Sequence, residues 1–493
     1  MNRTDGPERR GLLSRPGLLL VLGGLLTAAA HLRWGIGLLA WVAPIPFLRT
    51  LRLSPGWRPR LLLALVLAAT WTLATAKIVT DPLPAAFALV GVVIAGFQLS
   101  AFLAWDAVRR FAPRWATLAF PAALVSAEWL QHRFTFMTSW GAAAYTQVEA
   151  LAVLQIASLG GMAAVSFLVS WVAAALESLL AARLAGEPSG AAGRQALLAL
   201  GALLLALAFG TARLARPLGG GTVTVAAVGT TSDFGPQHLP TAEERRRTLE
   251  LLLADTERAA TAGARLVVWN EAAALVPPEE EPAFVARLAE MAARARIHLV
   301  AAYIVPKGPL PTPFENKYRW FAPDGTLVQT YFKHHPAPGE PAVVGQGPLA
   351  AVETDFGRAG GALCYDYDVP ALAREHGLLR VGLVALPSSD WRGIDPIHTQ
   401  MAALRAIEEG VSILRSTRLG LSAGIDAHGR ARAWQSSFDS GDRVLLVALP
   451  RHGVGTLYAR TGDVLVGLSI GFLVILGATA LLRRTARDGR RAT

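Results

Sequence analysis

Residues 1–216 are a succession of apolar runs broken only by short polar turns, a pattern that argues against a wholly water-soluble fold. Seven runs fall near 16–31, 35–51, 60–79, 84–105, 115–131, 150–182 and 195–214. An eighth, about 464–482, follows a polar middle. Each approaches the roughly 20 residues that an α-helix needs to cross a bilayer. The first lacks a small-residue cleavage site and reads as an uncleaved span, not a signal peptide. Charged residues make up 17% of the chain, against about 25% in an ordinary soluble domain.

Arginine placement orders these runs. Arg3, Arg9, Arg10 and Arg15 precede the first, and Arg49, Arg52, Arg58 and Arg60 surround the turn after the second. Arg109, Arg110 and Arg114 follow the fourth, Arg183 and Arg194 the sixth, and Arg483, Arg484, Arg487, Arg490 and Arg491 the last. The intervening turns carry about one cation each: Arg33, Lys77 and Arg133. Cytoplasmic loops collect Lys and Arg. The alternation therefore predicts eight spans with both termini in the cytoplasm and residues 217–460 on the outer side. Only Arg213 and Arg216 fit poorly. The expected division is a membrane domain over 1–216 with about seven spans, an extracytoplasmic domain over 222–450 and a last transmembrane helix over 464–483.

The net charge of +11 suggests nucleic acid until it is divided. Residues 222–448 hold 26 acidic and 22 basic residues, a net of −4, so the remainder carries +15. A nucleic-acid-reading face belongs on a folded polar domain. The excess here lies with the apolar part, so no nucleic-acid partner is expected.

The polar middle alternates strand-like and helical patterns. Strands are predicted at 222–228, 266–269, 298–305, 381–386 and 412–416, with another ending at 360–364. Helices are predicted at 241–262, 281–296 and 398–409. The first of these helices opens on Thr241 with Glu244 three residues on, a capping-box pattern. Pro323-Asp324-Gly325 between 318–322 and 326–332 signals a hairpin. Alternation of this kind predicts a layered α/β domain.

Three residues in that domain sit just after a strand or hairpin: Glu271, Lys333 and Cys364. Strand ends of α/β sheets are where loops gather into sites. Cys364 is the only cysteine, which excludes an internal disulfide framework and a multi-cysteine metal site. The chain has 43 arginines and four lysines, Lys77, Lys307, Lys317 and Lys333, so a retained lysine can mark chemistry that arginine cannot do. A thiolate that attacks a carbonyl, a carboxylate that takes and returns protons and a lysine that holds the oxyanion form one coherent unit. Singly, each residue has a blander reading as a buried thiol, a solvated carboxylate or a surface charge. Adjacent His334 and His335 would not face one ion together on a strand, and His398 has no ligand partner at i+4. No metal and no cofactor are expected.

The order Glu271, Lys333, Cys364 resembles the nitrilase (carbon–nitrogen hydrolase) superfamily, and the membrane part narrows this to the apolipoprotein N-acyltransferase family. The resemblance runs through Glu128-Trp129-Leu130, Trp140-Gly141, Tyr145-Thr146-Gln147, Gly160-Gly161 and Val165-Ser166-Phe167. It continues in Val267 to Glu271, Lys333 to Glu340 and Cys364-Tyr365-Asp366. Ser389-Asp390-Trp391, His398 to Met401, Arg405-Ala406, Leu414 to Thr417 and Tyr458 to Asp463 complete it. The resemblance implies a multi-span α-helical membrane domain carrying a nitrilase-like α-β-β-α sandwich in a bacterial inner membrane. It implies acyl transfer from a phospholipid, through a cysteine thioester, to the N-terminal amine of a diacylglyceryl-cysteine lipoprotein. Glu271 is then the general base, Lys333 the oxyanion stabiliser and Cys364 the nucleophile. Glu340 matches a second glutamate near the site, and Tyr365 and Asp366 match a Tyr-Glu pair after the nucleophile.

The chain departs from the family pattern around this triad. Asn270 stands where the family usually has Pro, and Asp366 where it has Glu. Val228-Gly229-Thr230-Thr231 replaces the usual Gln-Gly-Asn turn, and Arg418-Leu419-Gly420 an Asn-Asn-Gly. The alternatives are a membrane-bound nitrilase-like amidase or an acyltransferase with a different amine acceptor, and, from another class, a transporter or catalytically dead lipid-binding protein. Intramembrane ionisable residues usually mark transport pathways, and here Glu128 and Glu177 are the exceptions among otherwise apolar spans.

Overall fold

A computed structural model describes residues 12–81, 83–230, 239–308, 313–439 and 441–489. Arg3, Arg9, Arg10, Thr231, Arg490 and Arg491 lie outside them. The first half is helical: α1 (Pro16–Ala30), α2 (Pro44–Leu53), α3 (Trp57–Ala76), α4 (Gly91–Phe111), α5 (Ala116–Phe134), the short α6 (Leu151–Leu154), α7 (Ala157–Leu184) and α8 (Gly190–Ala215). The second half comprises β1 (Thr222–Val228), α9 (Ala242–Thr261), β2 (Leu266–Trp269), α10 (Glu281–Ala295), β3 (His298–Pro306), β4 (Phe314–Phe321), β5 (Leu327–Phe332), β6 (Ala351–Thr354) and β7 (Gly357–Gly361). It continues with α11 (Pro370–Leu378), β8 (Leu383–Ser389), α12 (Ile397–Glu409), β9 (Ser412–Arg418), β10 (Leu421–Ile425), β11 (Ala431–Ser436) and β12 (Val444–Pro450). Then come α13 (Leu457–Thr461) and the long α14 (Val464–Gly489).

Five helical stretches among the described residues are long and apolar enough to cross a membrane: Trp57–Ala76, Ala85–Phe111, Ala157–Leu184, Gly190–Ala215 and Val464–Arg483. The run expected at 35–51 is a 3-10 turn, Gly37–Trp41, followed by the 10-residue α2. Pro44 and Pro46 sit at the start of α2, where a proline fits the first turn of a helix but not its interior. Helix α1 has 15 residues, and α5 has 19, most of them buried at the centre of the bundle. Two of the carboxylates buried inside this half, Glu177 and Asp106, are ion-paired, whereas Glu128 accepts the Ala143 N–H at 2.8 Å and its Oε2 has no partner among the described residues. Glu177 holds Arg52 at 2.6 Å, and Asp106 accepts from Arg60, Arg109 and Arg110.

The strands form two six-stranded sheets, ordered β12-β1-β2-β3-β4-β5 and β11-β10-β9-β8-β7-β6. In each, three consecutive strands run parallel (β1-β2-β3 and β7-β8-β9) and antiparallel strands extend both edges. The sheets face each other over one apolar core that includes Val225, Val268, Tyr318, Trp320, Leu383 and Ile413. Full burial of each such side chain contributes about 1.5–3 kcal/mol. Spacing is tight enough that a Cβ on Gly361 of β7 would sit 2.5 Å from the Tyr318 hydroxyl. Helices α9 and α10 cover the outer face of the first sheet, where Trp269, Leu252 and Leu288 share a core. The capping box at Thr241 is present. Helix α12 covers the second sheet with Ala402 and Ala406, while its opposite side puts Ile397, Met401 and Leu404 into the core of the helical half.

The architecture is thus α-β-β-α, with the last helical layer seated on the membrane half. A kink in α7 seals the joint. Gly161 has φ +66°, and a Cβ there would lie 2.4 Å from the Tyr458 ring, so the Gly160-Gly161 segment is a socket for the Tyr458 side chain.

Candidate active site

The inner parallel strands of both sheets deliver their C-terminal ends to one place. Glu271 follows β2, Cys364 follows β7 and Ser388-Ser389 close β8. The Glu271 backbone N–H donates to the Ser388 carbonyl at 3.3 Å, and the Cys364 thiol faces the Ser389 carbonyl at 3.5 Å. Adjacent carbonyls of one strand end therefore fix residues from different sheets. Cys364 has φ +45° and Ala272, after Glu271, has φ +50°. A non-glycine residue in this left-handed region is uncommon and marks a backbone held there by its surroundings.

Lys333 enters from the end of β5. Its ammonium donates to Glu271 Oε1 at 2.8 Å and to Glu340 Oε2 at 2.6 Å, and all three side chains are largely buried. Asn316 donates from one amide nitrogen to both carboxylates, at 2.7 Å each, and the Ala337 N–H donates to Glu340. Burial alone would lower the lysine, but Glu271 and Glu340, with Cys364, hold it well above its usual value. Burial would raise Glu340, and Lys333 overrides this and keeps it below the usual glutamate value. Cys364 is pushed well above an ordinary thiol, first by burial and then by Glu271, with Lys333 opposing. The resting group is therefore a thiol, and a nucleophile in this state needs a base at the moment of attack.

Asp366 holds the lysine loop against the cysteine turn. Its carboxylate accepts from Tyr331 Oη at 2.8 Å and from the N–H groups of His334 at 3.1 Å, His335 at 2.7 Å and Leu363 at 3.1 Å. The Tyr365 hydroxyl donates to the carbonyl of Phe136 in the loop after α5, so the residue beside the cysteine is tied to the membrane half.

On the other side of Cys364 lies a buried cluster. His398 meets Asp390 at 2.7 Å and Asp368 at 3.0 Å, and Arg415 donates to both Asp390 oxygens at 2.8 and 3.0 Å. Ser139 and Trp140, from the loop after α5, donate to the Asp368 carbonyl and carboxylate. Burial opposes the imidazolium, but Asp368 and Asp390 raise it to about 9. Cys364, Asp390 and His398 place ligand-type atoms within 4.8 Å of one another. Both imidazole nitrogens are already committed to carboxylates, and Arg415 occupies Asp390. These donors thus form a closed ion cluster, a poor fit to a metal ion.

Sequence spacing along α12 missed these partners of His398, because Asp368 and Asp390 reach it from other elements. Asn316 was also missed. Its only signal is an Asn inside a strand, where Asn is depleted, and the flanking Glu315 and Lys317 mask it. The neighbouring Lys317 is buried between Glu281 and Glu315, so it is structural and not a surface charge.

Comparison with known proteins places this geometry. Residues 23–175 match the apolipoprotein N-acyltransferase N-terminal domain, and residues 224–458 match the carbon-nitrogen hydrolase family. A Geobacter metallireducens apolipoprotein N-acyltransferase is 26% identical over 97% of this chain and 98% of its own. One from Caulobacter vibrioides is 29% identical over 97% and 96%. The chain is similar to apolipoprotein N-acyltransferases over nearly its whole length. A solved amidase from Nesterenkonia sp. is 20% identical over 49% of this chain and 94% of its own, with a TM-score of 0.39. Against the family pattern, two of the departures satisfy each other. Asn270 Oδ1 accepts from the Thr230 N–H at 2.7 Å and its hydroxyl at 3.2 Å, while Asn270 Nδ2 donates to the Glu271 carbonyl at 2.8 Å. The altered turn after β1 and the altered residue before Glu271 are one hydrogen-bonded unit.

Proposed function

We propose that this chain moves a fatty acyl group from a phospholipid ester to the α-amine of diacylglyceryl-cysteine at a lipoprotein N-terminus. Cys364 is the nucleophile, Glu271 the base and Lys333 the oxyanion donor. As Sγ attacks the ester carbonyl, Glu271 takes the thiol proton. The tetrahedral oxyanion is held by the Lys333 ammonium and the Tyr365 backbone N–H. Collapse expels the lysophospholipid alkoxide, which takes the proton from Glu271 and leaves an acyl thioester. The acceptor amine then attacks that thioester, gives its proton to Glu271, and the departing sulfur recovers it. Glu340 and Asn316 hold Lys333 and Glu271 in place through both steps, and Asp366 sets the lysine loop against Cys364.

The observation that carries this reading is the buried Glu271–Lys333–Glu340 chain meeting Cys364 at the end of β8, on the side docked to the helical half through Tyr365 and Asp368. That docking gives a lipid ester a route to the thiol from the membrane. The alternating arginines support an inner-membrane protein with residues 217–460 on the periplasmic side. The test is mass spectrometry of a diacylglyceryl-cysteine peptide incubated with phospholipid and the purified chain. One acyl group on the free amine, and none on an acetylated peptide, is expected. Release of free fatty acid with an unmodified peptide contradicts the proposal.

A further inference from the structure

The two arginines that break the charge alternation, Arg213 and Arg216, lie at the end of α8. They line a cleft of about 360 Å³ between α8, the start of α7 and the 454–457 segment. Three observations give this cleft a chemistry. Arg216 is exposed, and among the described residues its side chain makes no hydrogen bond or ion pair. Arg213 donates to Gln155 Oε1 at 2.6 Å, which aims it without neutralising it. His428, 3% exposed, lines the same cleft with its Nδ1 buried and unpartnered.

The buried carboxylate of Asp426 attracts Arg213 and His428, but it is shared with other groups. It accepts the backbone N–H groups of His428 and Arg430 and lies 3.6 Å from Arg432. Apart from Ser158 and Thr456 the other walls are apolar, with Leu159, Phe209 and Leu457 partly exposed. Phe209 continues a strip of exposed apolar side chains on α8 through Leu204 and Leu205. The cleft thus joins cationic donors to a surface suited to acyl chains. It is not the catalytic centre. Thr456, which lines it, bonds the Glu408 carbonyl at the far end of α12 from His398, about 15 Å along the helix at 1.5 Å per residue.

We propose that this cleft seats the phosphate of an anionic phospholipid, with Arg213 and Arg216 on the phosphate oxygens, His428 at its inner wall and the acyl chains along α8. The inference rests on α8 lying in the membrane and not on the acyl-transfer reading. Its readout is binding without turnover, so either can fail alone. Native mass spectrometry of the full chain in detergent, titrated separately with phosphatidylglycerol and phosphatidylcholine, tests it. Phosphatidylglycerol is expected to be retained about tenfold more tightly, the scale of one or two charge-assisted hydrogen bonds. The Arg213→Gln/Arg216→Gln double variant should erase that preference. Arg216→Gln, which removes no contact of the fold, should weaken it, and Arg183→Gln should not. Inorganic phosphate at millimolar concentration should displace no lipid. Equal retention of the two lipids, an unchanged double variant, or displacement by phosphate alone overturns the proposal, the last in favour of a free-anion site.

Discussion

Replacing Asp366 by Asn keeps the shape of the clamp between the lysine loop and the cysteine turn but removes half of its acceptors. The carboxylate now takes four donors, two on each oxygen. An amide has one oxygen, so its NH₂ must face one of the pairs. Facing His334 and His335 orphans two backbone N–H groups. Facing Tyr331 and Leu363 orphans only one, because the phenol can rotate to accept. The second arrangement wins. It leaves one buried donor unsatisfied at about 1–3 kcal/mol and weakens the remaining bonds by removing their charge, for a total of about 2–4 kcal/mol. At the scale of this α/β half, that lowers the melting temperature by about 5–15 °C. Cys364, the only thiol in the chain and buried, is the built-in reporter. A thiol-reactive fluorophore added during a thermal ramp should label Asp366→Asn at a lower temperature than the parent. Wild-type labelling would refute the clamp.

His398 predicts an alkaline limb. Its pKa is raised from 6.5 to about 9, so the stability it contributes is fully present below pH 6.5 and is lost as pH rises through about 9. Asp390, which burial would raise, is held down to about 2 by Arg415 and His398, so it stays ionised across that window. The melting temperature should fall over that range by the equivalent of roughly 3 kcal/mol at most, and His398→Gln should flatten the profile. An unchanged limb in His398→Gln would assign it elsewhere. Asn270→Pro, which restores the usual family residue, should destabilise this chain by about 2–4 kcal/mol in chemical unfolding. It removes the Asn270 N–H bond to the Val228 carbonyl and strands the Thr230 N–H. A neutral or stabilising effect would separate the two departures.

How far the sequence reached can be read residue by residue. Strand β1 and helix α9 were legible to within a residue, because period-two apolar alternation and a capping box are local signals. The pairing of strands into two sheets was not, since β12 returns from the far end of the domain to lie beside β1. Glu271, Lys333 and Cys364 could be singled out because each follows a strand or hairpin. Asp368, Asp390 and Arg415 could not be joined to His398, because their meeting depends on tertiary approach from separate elements. The eight apolar runs were found, but length within a run does not tell a span from the interrupted segment around α2, where prolines restart the helix.

The central claim is that an acyl group rests on Cys364 between donor and acceptor. The most direct measurement is intact-protein mass spectrometry of the purified chain after incubation with phospholipid and no acceptor. One added acyl group, removed by neutral hydroxylamine, absent in Cys364→Ala and slow to form in Glu271→Gln, is the predicted result. An acyl group that persists on Cys364→Ala would contradict the account.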